Sequence, residues 1–303
     1  MTARVLVTGA SGFLGRHVLA DLTVRGFEAM ALGRSLPIGL ALKQFFPIAD
    51  VGDASTIRHA VTQARPDVIL HLAGSPDAGG IEELYRINVL FGWHLLAAAR
   101  MIEPYPTVLF VGSAAEYGPV SAAALPVSED FPCRPNTPYG ITKLAQTFHG
   151  LAASQAGMPV VIARLFNPIG AGMPKHLALG SFAEQIIRMG PPGGCLLTGD
   201  LDVERDFIAA SDAAGVLVEL AFSTRAHGQV VNVCSGQPTQ LRRLTERLIA
   251  VSGAPVQLRT DTTRRGVSDM PSHFGSPNRL VELGIVPPSL DEDRVVADIL
   301  LAR

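Results

Sequence analysis

Apolar and polar positions follow two different periods along the first half of the chain. Short apolar, β-branched runs predict buried strands, and apolar residues every three or four positions predict helices. The predicted strands are residues 4–8, 27–32, 45–49, 67–72, 107–112 and 159–165, and the predicted helices are residues 13–25, 54–64, 81–102 and 138–157. Strands that alternate with helices in this way predict an α/β fold, with a parallel sheet and helices on both faces.

The alternation loosens after Asn167, where loops rich in glycine and proline appear. We therefore expect a Rossmann-type doubly wound sheet made of residues 1–166 plus about 204–234. The remaining residues, about 167–203 and 235–303, are expected to form a smaller C-terminal substrate-binding lobe. Ligands of open α/β folds bind at the carboxyl ends of the strands, so the predicted cleft lies between the two parts.

Composition narrows the class of protein. A chain of 303 residues with 48% hydrophobic content can bury a sizeable core, and its net charge of −2 favours neither nucleic acid nor a membrane surface. No apolar run reaches the roughly 18–20 residues that cross a bilayer, and the first predicted strand leaves no room for a signal peptide. We expect a cytoplasmic protein with reduced thiols and no metal site, because three cysteines lie far apart without metal-ligand spacing. They are Cys133, Cys195 and Cys234.

A glycine-rich turn joins the first predicted strand to the first predicted helix. It reads Gly9-Ala-Ser-Gly-Phe-Leu-Gly15, with a glycine at every third position. A strand, such a turn and a helix N-terminus direct backbone N–H groups at the pyrophosphate of a dinucleotide. The alternative, a turn that needs glycine only for its backbone angles, is disfavoured by its place in the first βα unit. The predicted cofactor contacts in this turn are Gly9, Ser11, Gly12, Phe13, Leu14 and Gly15.

Tyr139 and Lys143 lie four residues apart on a predicted helix, so their side chains project from the same face. A nearby ammonium stabilises a phenolate and should lower the pKa of the tyrosine. Tyr139 is therefore a candidate general acid or base. The spacing alone also fits an ordinary solvated helix.

Further motifs follow in a fixed order. They include His71-Leu-Ala-Gly74, Ser113-Ala-Ala-Glu-Tyr-Gly118, Arg164-Leu-Phe-Asn167 and Glu204-Arg-Asp-Phe207. With the glycine turn and the Tyr139–Lys143 pair, they resemble the extended short-chain dehydrogenase/reductase family, also called the NAD-dependent epimerase/dehydratase family. The resemblance covers nearly the whole chain. In that family the helices corresponding to 81–102 and 138–157 pair across a dimer, so the resemblance implies a homodimer.

The resemblance also implies roles for individual residues. Hydride passes between nicotinamide and the substrate carbon while Tyr139 gives or takes the proton. Lys143 lowers the pKa of the tyrosine and bonds the nicotinamide ribose, and the Ser113 hydroxyl binds the substrate oxygen. For Ser113 the alternative is a serine that ties down a strand end, and for Asn88 it is a side chain that only satisfies backbone groups. The further cofactor contacts implied are Asp50, Val51, Leu72, Ala73, Gly74 and Asn88.

The end of the second predicted strand bears on the choice of cofactor. An NAD site places a carboxylate there, whereas an NADP site places an arginine near the 2′-phosphate. Gly33 stands where the family's NAD enzymes carry aspartate, and Arg34 follows. Because a guanidinium can hold a phosphate in two hydrogen bonds, we expect NADP(H) rather than NAD. The alternative is a solvated arginine in a loop.

The residues after Ser113 narrow the reaction. Dehydratases of the family need an additional acid and base there, but this chain has Ala114 and Ala115. Glu116 comes one place later and would point differently if the strand continued. Dehydration is therefore disfavoured, and the NADP signal disfavours a C4 epimerase, which holds NAD tightly.

The remaining reaction is reduction of a ketone by NADPH, and the resemblance implies that the ketone is a 4-keto-6-deoxyhexose carried on a nucleotide diphosphate. Within the family the likeness is greatest to such reductases, especially the GDP-6-deoxy-4-keto-mannose type, although the glycine-rich stretch 75–80 departs from them. A C4 epimerase with tightly bound NAD and a non-catalytic cofactor-binding protein are the alternatives. The residues implied to bind substrate are Ser113, Asn167, Arg205, Arg264 and Arg265.

Overall fold

The computed structural model describes residues 2–36, 39, 42–76, 79–261 and 270–301. The strands are β1 Arg4–Thr8, β2 Glu28–Gly33, β3 Gln44–Pro47, β4 Val68–His71, β5 Thr107–Ser113, β6 Val160–Leu165, β7 Asn167–Ile169, β8 Gly194–Thr198, β9 Glu204–Ala209, β10 Val230–Val233, β11 Pro238–Gln240, β12 Val256–Thr260 and β13 Ser272–His273. The α-helices are α1 Phe13–Val24, α2 Ala54–Ala64, α3 Ile81–Tyr85, α4 Phe91–Ala99, α5 Pro138–Gln155, α6 Ala178–Met189, α7 Ala210–Phe222, α8 Leu241–Ser252, α9 Asn278–Glu282 and α10 Glu292–Leu301.

Seven strands form one parallel sheet in the order β10-β6-β5-β4-β1-β2-β3. From β1 the chain builds outward through β2 and β3, and then returns to build the other half from β4. This reversal opens a crevice between the carboxyl ends of β1 and β4, which is where doubly wound sheets bind ligands. The predicted Rossmann-type fold is confirmed, and all six predicted strands are present.

Both faces of the sheet are covered, which explains the continuous apolar runs of its strands. In β1, Val5 and Val7 face a core formed with α1 and α7, while Leu6 faces a second core formed with α2 and α4. All three side chains are fully buried. Burial on both faces fixes the position of each strand relative to its neighbours. The ends of the strands, which carry the site residues, are therefore fixed as well.

A second group of elements lies beyond β6. Strand β9 pairs with β7, β11 and β13 in a four-stranded sheet, and β8 pairs with β12. Helices α6, α8 and α10 enclose a separate apolar core. No helix in the described part of the chain has the length and apolarity to span a membrane.

The structure corrects the predicted assignment of residues 204–234. Strand β9 belongs to the small sheet, whereas α7 and β10 do belong to the main sheet and its helical layer. The reason lies at the end of β6. Strand β7 leaves the main sheet one residue later and offers its edge to β9, with Asn167 opposite Phe207.

The single helix predicted over residues 81–102 is also divided. Helices α3 and α4 are separated by a π-helical turn, Arg86–Leu90, whose hydrogen bonds span one residue more than those of an α-helix. Apolar spacing cannot reveal one extra residue in a turn. Such turns recur at functional sites, and this one carries Asn88.

Candidate active site

A cavity of about 460 Å³ opens at the crevice between β1 and β4. Its walls come from the ends of β1, β2 and β4 and from the π-helical turn. Seven of the predicted cofactor residues line it, namely Gly9, Ser11, Gly12, Arg34, Val51, Ala73 and Gly74. Sequence reasoning missed further lining residues, which include Ser35, Phe45, Glu83, Ile87 and Phe91.

The glycine turn is shaped by two close approaches. Gly9 has a φ of +69°, and a Cβ there would lie 2.7 Å from the backbone nitrogen of Ala73. A Cβ on Gly15 would overlap the carbonyl oxygen of Gly9. The turn therefore packs against the end of β4 and against the start of α1. This geometry places the N-terminus of α1 beside the cavity, where helical N–H groups favour an anion.

The far end of the cavity carries three side chains suited to a phosphate. Arg34 and Ser35 follow β2, and the Ser35 hydroxyl lies 3.0 Å from the hydroxyl of Ser11 in the glycine turn. Arg34 is exposed. A guanidinium and two converging hydroxyls can together hold the oxygens of a phosphate monoester. The signal for Ser35 in the sequence was its place directly after Arg34.

The implied cofactor contacts Asp50 and Val51 have two different roles. Val51 lines the cavity, whereas the Asp50 carboxylate accepts a hydrogen bond from the backbone of Gly52 at 2.6 Å and pairs with Arg86. Arg86 also binds Glu83 at 2.7 Å. Asp50 thus connects the turn after β3 to the π-helical turn. Three other predicted contacts (Phe13, Leu14 and Leu72) are half-buried around the cavity and do not line it, and Gly15 is buried.

The three predicted catalytic residues converge at the carboxyl end of β5. Ser113 is its last residue, and Tyr139 and Lys143 lie in the first turns of α5. Pro138 opens that helix, and the Thr137 hydroxyl caps it by accepting the N–H of Gly140 at 3.1 Å. The cap fixes where α5 starts and so where Tyr139 projects.

The pKa of Tyr139 runs opposite to the sequence prediction. Burial raises it above its ordinary value, and the charge of Glu116 acts in the same direction, while hydrogen bonding to the Ser113 side chain opposes them. The physical reason is that a phenolate loses its solvation among packed groups. Lys143 is not among the groups that shift the pKa of Tyr139, and its ammonium is hydrogen-bonded to Gln146 on the same helix.

Lys143 is buried, and its Nζ donates to the Gln146 Oε1 at 2.5 Å. Burial lowers the pKa of Lys143 to about 8, and the negative charge of Glu116 partly opposes that shift. The ammonium lies 3.8 Å from the position that a Cβ on Gly74 would take, at the edge of the cofactor cavity.

Asn88 is fully buried in the π-helical turn. Its amide exchanges two hydrogen bonds of 2.9 Å with the backbone of Ser75 and donates a third to the Thr142 hydroxyl. Asn88 does satisfy backbone groups, as the alternative supposed. It also connects the segment after β4 to α5, next to Lys143.

Glu116 is fully buried beneath Ser113. Strand β5 ends at Ser113, and a 3₁₀ turn of Ala114–Glu116 directs the carboxylate back into the protein. It accepts the Ser113 N–H at 2.8 Å, the Thr147 hydroxyl at 2.9 Å and the Arg164 Nε at 2.8 Å. A side chain that is fully buried and engaged by three donors is not free to reach a substrate in the cleft.

Two of the residues implied to bind substrate lie on neighbouring strands. Asn167 begins β7 and donates to the Asp206 carbonyl at 2.8 Å, and Arg205 lies on β9 with an Nη donating to the Glu204 carbonyl at 2.6 Å. Both side chains are half-buried. Arg264 and Arg265 fall outside the described residues.

The chain matches the model of the NAD dependent epimerase/dehydratase family over residues 5–234. It is 34% identical over 287 residues to a GDP-6-deoxy-D-mannose reductase of Pseudomonas aeruginosa, covering 92% of this chain and 90% of that protein. It is 31% identical over 261 residues to a dTDP-6-deoxy-L-talose 4-dehydrogenase (NAD(P)(+)) of Kitasatospora kifunensis, with 84% and 81% covered. The structure of RMD from Pseudomonas aeruginosa complexed with NADPH superposes with a TM-score of 0.85 at 30% identity, covering 100% of this chain and 97% of that one.

Proposed function

Since the chain belongs to the NAD-dependent epimerase/dehydratase family and is an NAD(P)-dependent oxidoreductase, we propose that it reduces a nucleotide-diphosphate 4-keto-6-deoxyhexose at its 4-keto group. The observation that carries the proposal is the buried ion pair of Glu116 with Arg164. The carboxylate nearest in sequence to Ser113 is locked against Arg164, and the two residues between are alanines. Tyr139 is left as the proton donor, which suits ketone reduction and not elimination of water.

The residues at the cavity fit a nicotinamide dinucleotide. The glycine turn and the N-terminus of α1 offer N–H groups to a pyrophosphate, and Lys143 borders the same cavity. Bound NADPH supplies the hydride. The Ser113 and Tyr139 hydroxyls hold the ketone oxygen, and Tyr139 gives it a proton as the new hydroxyl forms. Because burial raises its pKa, Tyr139 keeps that proton at neutral pH.

NADP(H) is our proposed cofactor. Ser11, Arg34 and Ser35 group at one end of the cavity, and Gly33 places no carboxylate there to repel a 2′-phosphate. Titration of the wild type and Arg34→Gln with NADPH and with NADH tests this. We expect the variant to bind NADPH about tenfold more weakly, as for one lost charge-assisted contact, and NADH unchanged. Equal losses for both cofactors would contradict the assignment.

The substrate is proposed from Asn167 and Arg205 together with the likeness to the GDP-6-deoxy-D-mannose reductase. Two donors on neighbouring strands suit a diphosphate bridging to the sugar. A thermal-shift screen of GDP, UDP, dTDP and CDP should single out one nucleotide, because ligands that bind the native state raise the Tm. Absence of any shift would reject the substrate class.

The activity itself is tested by following NADPH oxidation with GDP- and dTDP-linked 4-keto-6-deoxyhexoses. We expect one NADPH consumed for each sugar reduced. Tyr139→Phe should lower kcat by about 10²- to 10⁴-fold, the usual worth of a general acid, and keep NADPH binding. Co-purified NAD with turnover but no net oxidation of cofactor would instead establish an epimerase.

We also propose a homodimer. Large apolar side chains are exposed along α3, the π-helical turn, α4 and α5, which are the helices that the sequence predicted to pair. They are Ile81, Tyr85, Leu90, Trp93, Ile141 and Phe148. The Trp93 and His149 rings lie 5.2 Å apart and connect α4 to α5. An apolar surface shared by adjacent helices supports burial against a second copy.

A further inference from the structure

Four buried polar side chains lead from α5 into the main sheet. They are Lys143 and Gln146 on α5, His71 at the end of β4 and Thr8 at the end of β1, and none is more than 3% exposed. Lys143 donates to the Gln146 carbonyl oxygen, and the His71 Nδ1 lies 2.7 Å from the Thr8 hydroxyl. Thr8 is the residue directly before the glycine turn. The two hydrogen-bonded pairs therefore start at the ammonium and end at the cofactor crevice.

Two nitrogens between these pairs lack a partner. The Gln146 Nε2 and the His71 Nε2 are buried and form no hydrogen bond. Both face one point, the position of a Cβ on Gly92, at 3.4 Å and 3.5 Å. Buried polar atoms are nearly always hydrogen-bonded, and each of these two nitrogens is the other's candidate partner.

The protonation of His71 decides the direction of that bond. Burial, aided by the charge of Lys143, lowers the pKa of His71 to about 3, so the ring is neutral at physiological pH. A neutral imidazole has one donor and one acceptor. Because Lys143 occupies the Gln146 oxygen, only the amide NH₂ can face His71. The His71 Nε2 is then the acceptor, and its Nδ1–H donates to Thr8.

We propose that Gln146 is a positioning residue of the reduction, which holds the Lys143 ammonium beside Gly74 through the chain Lys143–Gln146–His71–Thr8. The inference rests on the proposed function, since it assigns Lys143 to the cofactor. It adds that the ammonium is fixed to the two strands that form the crevice, and not only to its own helix. The acceptor is a neutral amide, which orients the ammonium and leaves its charge free for the cofactor.

Loss of the acceptor should also change the protonation of Lys143. A buried ammonium without its hydrogen bond loses its proton more readily. The other charged or titratable groups that act on it are Glu116 in the 3₁₀ turn and His71 on β4, with Tyr139 one helical turn away. Neither Glu116 nor Tyr139 is altered by a change at Gln146, so a shift in the pH profile reports on the acceptor.

The first test compares Gln146→Met with Gln155→Met, the same substitution at an exposed position of α5. NADPH affinity is measured by fluorescence titration from pH 6 to pH 9.5. We expect Gln146→Met to bind about tenfold more weakly at pH 8, the worth of one hydrogen bond to a charged group, and to lose affinity at lower pH than the wild type. Gln155→Met should match the wild type. An unchanged profile in Gln146→Met would overturn the proposal.

A double-mutant cycle separates positioning from a general effect on the fold. If Gln146 acts through the ammonium, Gln146→Met should have no further effect on NADPH affinity in a Lys143→Met protein. Additive losses would show that Gln146 acts on structure alone. Thr8→Val, which cuts the far end of the chain of bonds without touching Lys143, should shift the profile in the same direction by a smaller amount. Thr8→Val replaces Gln146→Met in the test if Gln146→Met does not fold.

These titrations need no sugar substrate. A protein that binds NADPH with the expected cycle but reduces no ketone would disprove the proposed function and keep the role of Gln146. A protein that reduces the ketone, but in which the losses from Gln146→Met and Lys143→Met are additive, would keep the proposed function and disprove the role of Gln146.

Discussion

At the scale of single residues, Glu116 shows how burial decides chemistry. Glu116 lies three positions after Ser113, the proposed substrate-binding serine. The 3₁₀ turn directs it inward, where it accepts hydrogen bonds from the Arg164 side chain, the Thr147 hydroxyl and the Ser113 N–H. The Arg164 guanidinium also stacks 4.7 Å over the Tyr117 ring. The ion pair therefore supports the end of β5 that carries Ser113.

Breaking this ion pair should destabilise the protein. Glu116→Gln leaves Arg164 as an uncompensated buried charge, which typically costs about 3–5 kcal/mol of the free energy of unfolding. Urea denaturation measures the loss. The double variant Glu116→Gln/Arg164→Met removes both charges and should recover part of it. A Glu116→Gln protein as stable as the wild type would show that the pair is not a structural support.

The pKa of Lys143 leads to a pH prediction. Its value of about 8 lies below the ordinary lysine value because burial disfavours the ammonium. The ammonium is therefore present at pH 7 and is lost as the pH rises through 8. We expect NADPH affinity to fall above pH 8, by up to about tenfold per pH unit if only the protonated form binds. The Lys143→Met variant should bind NADPH weakly at every pH, and its affinity should not fall above pH 8.

The chemistry of the residues in the site was largely readable from the sequence. Tyr139 and Lys143 stand four residues apart at the start of α5, and Ser113 ends the neighbouring strand β5. The raised pKa of Tyr139 was not readable, because it depends on packing around the ring. The contact of Glu116 with Arg164 could not be predicted either, since the two residues lie 48 positions apart in the sequence.

At the scale of elements, the packing of the first βα unit also shapes the proposed cofactor site. The apolar strand β1, the glycine turn and α1 follow in that order, and each was predicted near its observed bounds. The tight contact between Gly15 and Gly9 is what brings the N-terminus of α1 to the cavity.

Adding one methyl group at that contact should disrupt the unit. In Gly15→Ala the Cβ would overlap the Gly9 carbonyl, so α1 must shift, at a typical cost of about 1–3 kcal/mol for an overpacked position. NADPH binding should fall along with the Tm. Gly33→Ala is the matched control for stability, because a Cβ there meets nothing within 4 Å. Equal Tm values for the two variants would contradict this account.

Within the helix predicted over residues 81–102, the apolar pattern did not predict the π-helical turn. Its apolar positions suit one continuous helix, yet the π-helical turn Arg86–Leu90 divides it. That turn places Asn88 where it bonds both Ser75 and Thr142. A helical period does not record these contacts, whose partners lie 13 and 54 positions from Asn88.

At the scale of the whole molecule, the proposed homodimer has a direct test. Phe148 on α5 is 60% exposed, an unusual state for a large aromatic side chain. Phe148→Lys would bury a charge in the proposed interface and should convert the dimer to a monomer. Sedimentation or size-exclusion chromatography with light scattering measures the change. Val24→Lys introduces the same charge at an apolar position of α1 that is 88% exposed, and it should leave the assembly unchanged.

If the wild type is a monomer at micromolar concentration, the interface proposal is wrong. If both lysine variants dissociate a dimer, the interface lies elsewhere or spans both surfaces. Only a loss confined to Phe148→Lys supports pairing through α4 and α5.

The sequence pattern was sufficient to predict the Rossmann-type sheet, the glycine turn and the grouping of Ser113, Tyr139 and Lys143. These features depend on local order: alternating periods, glycine spacing, and side chains at strand ends and on one helix face. Other features depend on tertiary contacts, which pair β9 with β7 in the small sheet, hold the inward Glu116 against Arg164 and join His71 to Thr8. Each of these is a contact between segments far apart in sequence, and burial at such contacts sets hydrogen-bond partners and pKa values that no local pattern contains.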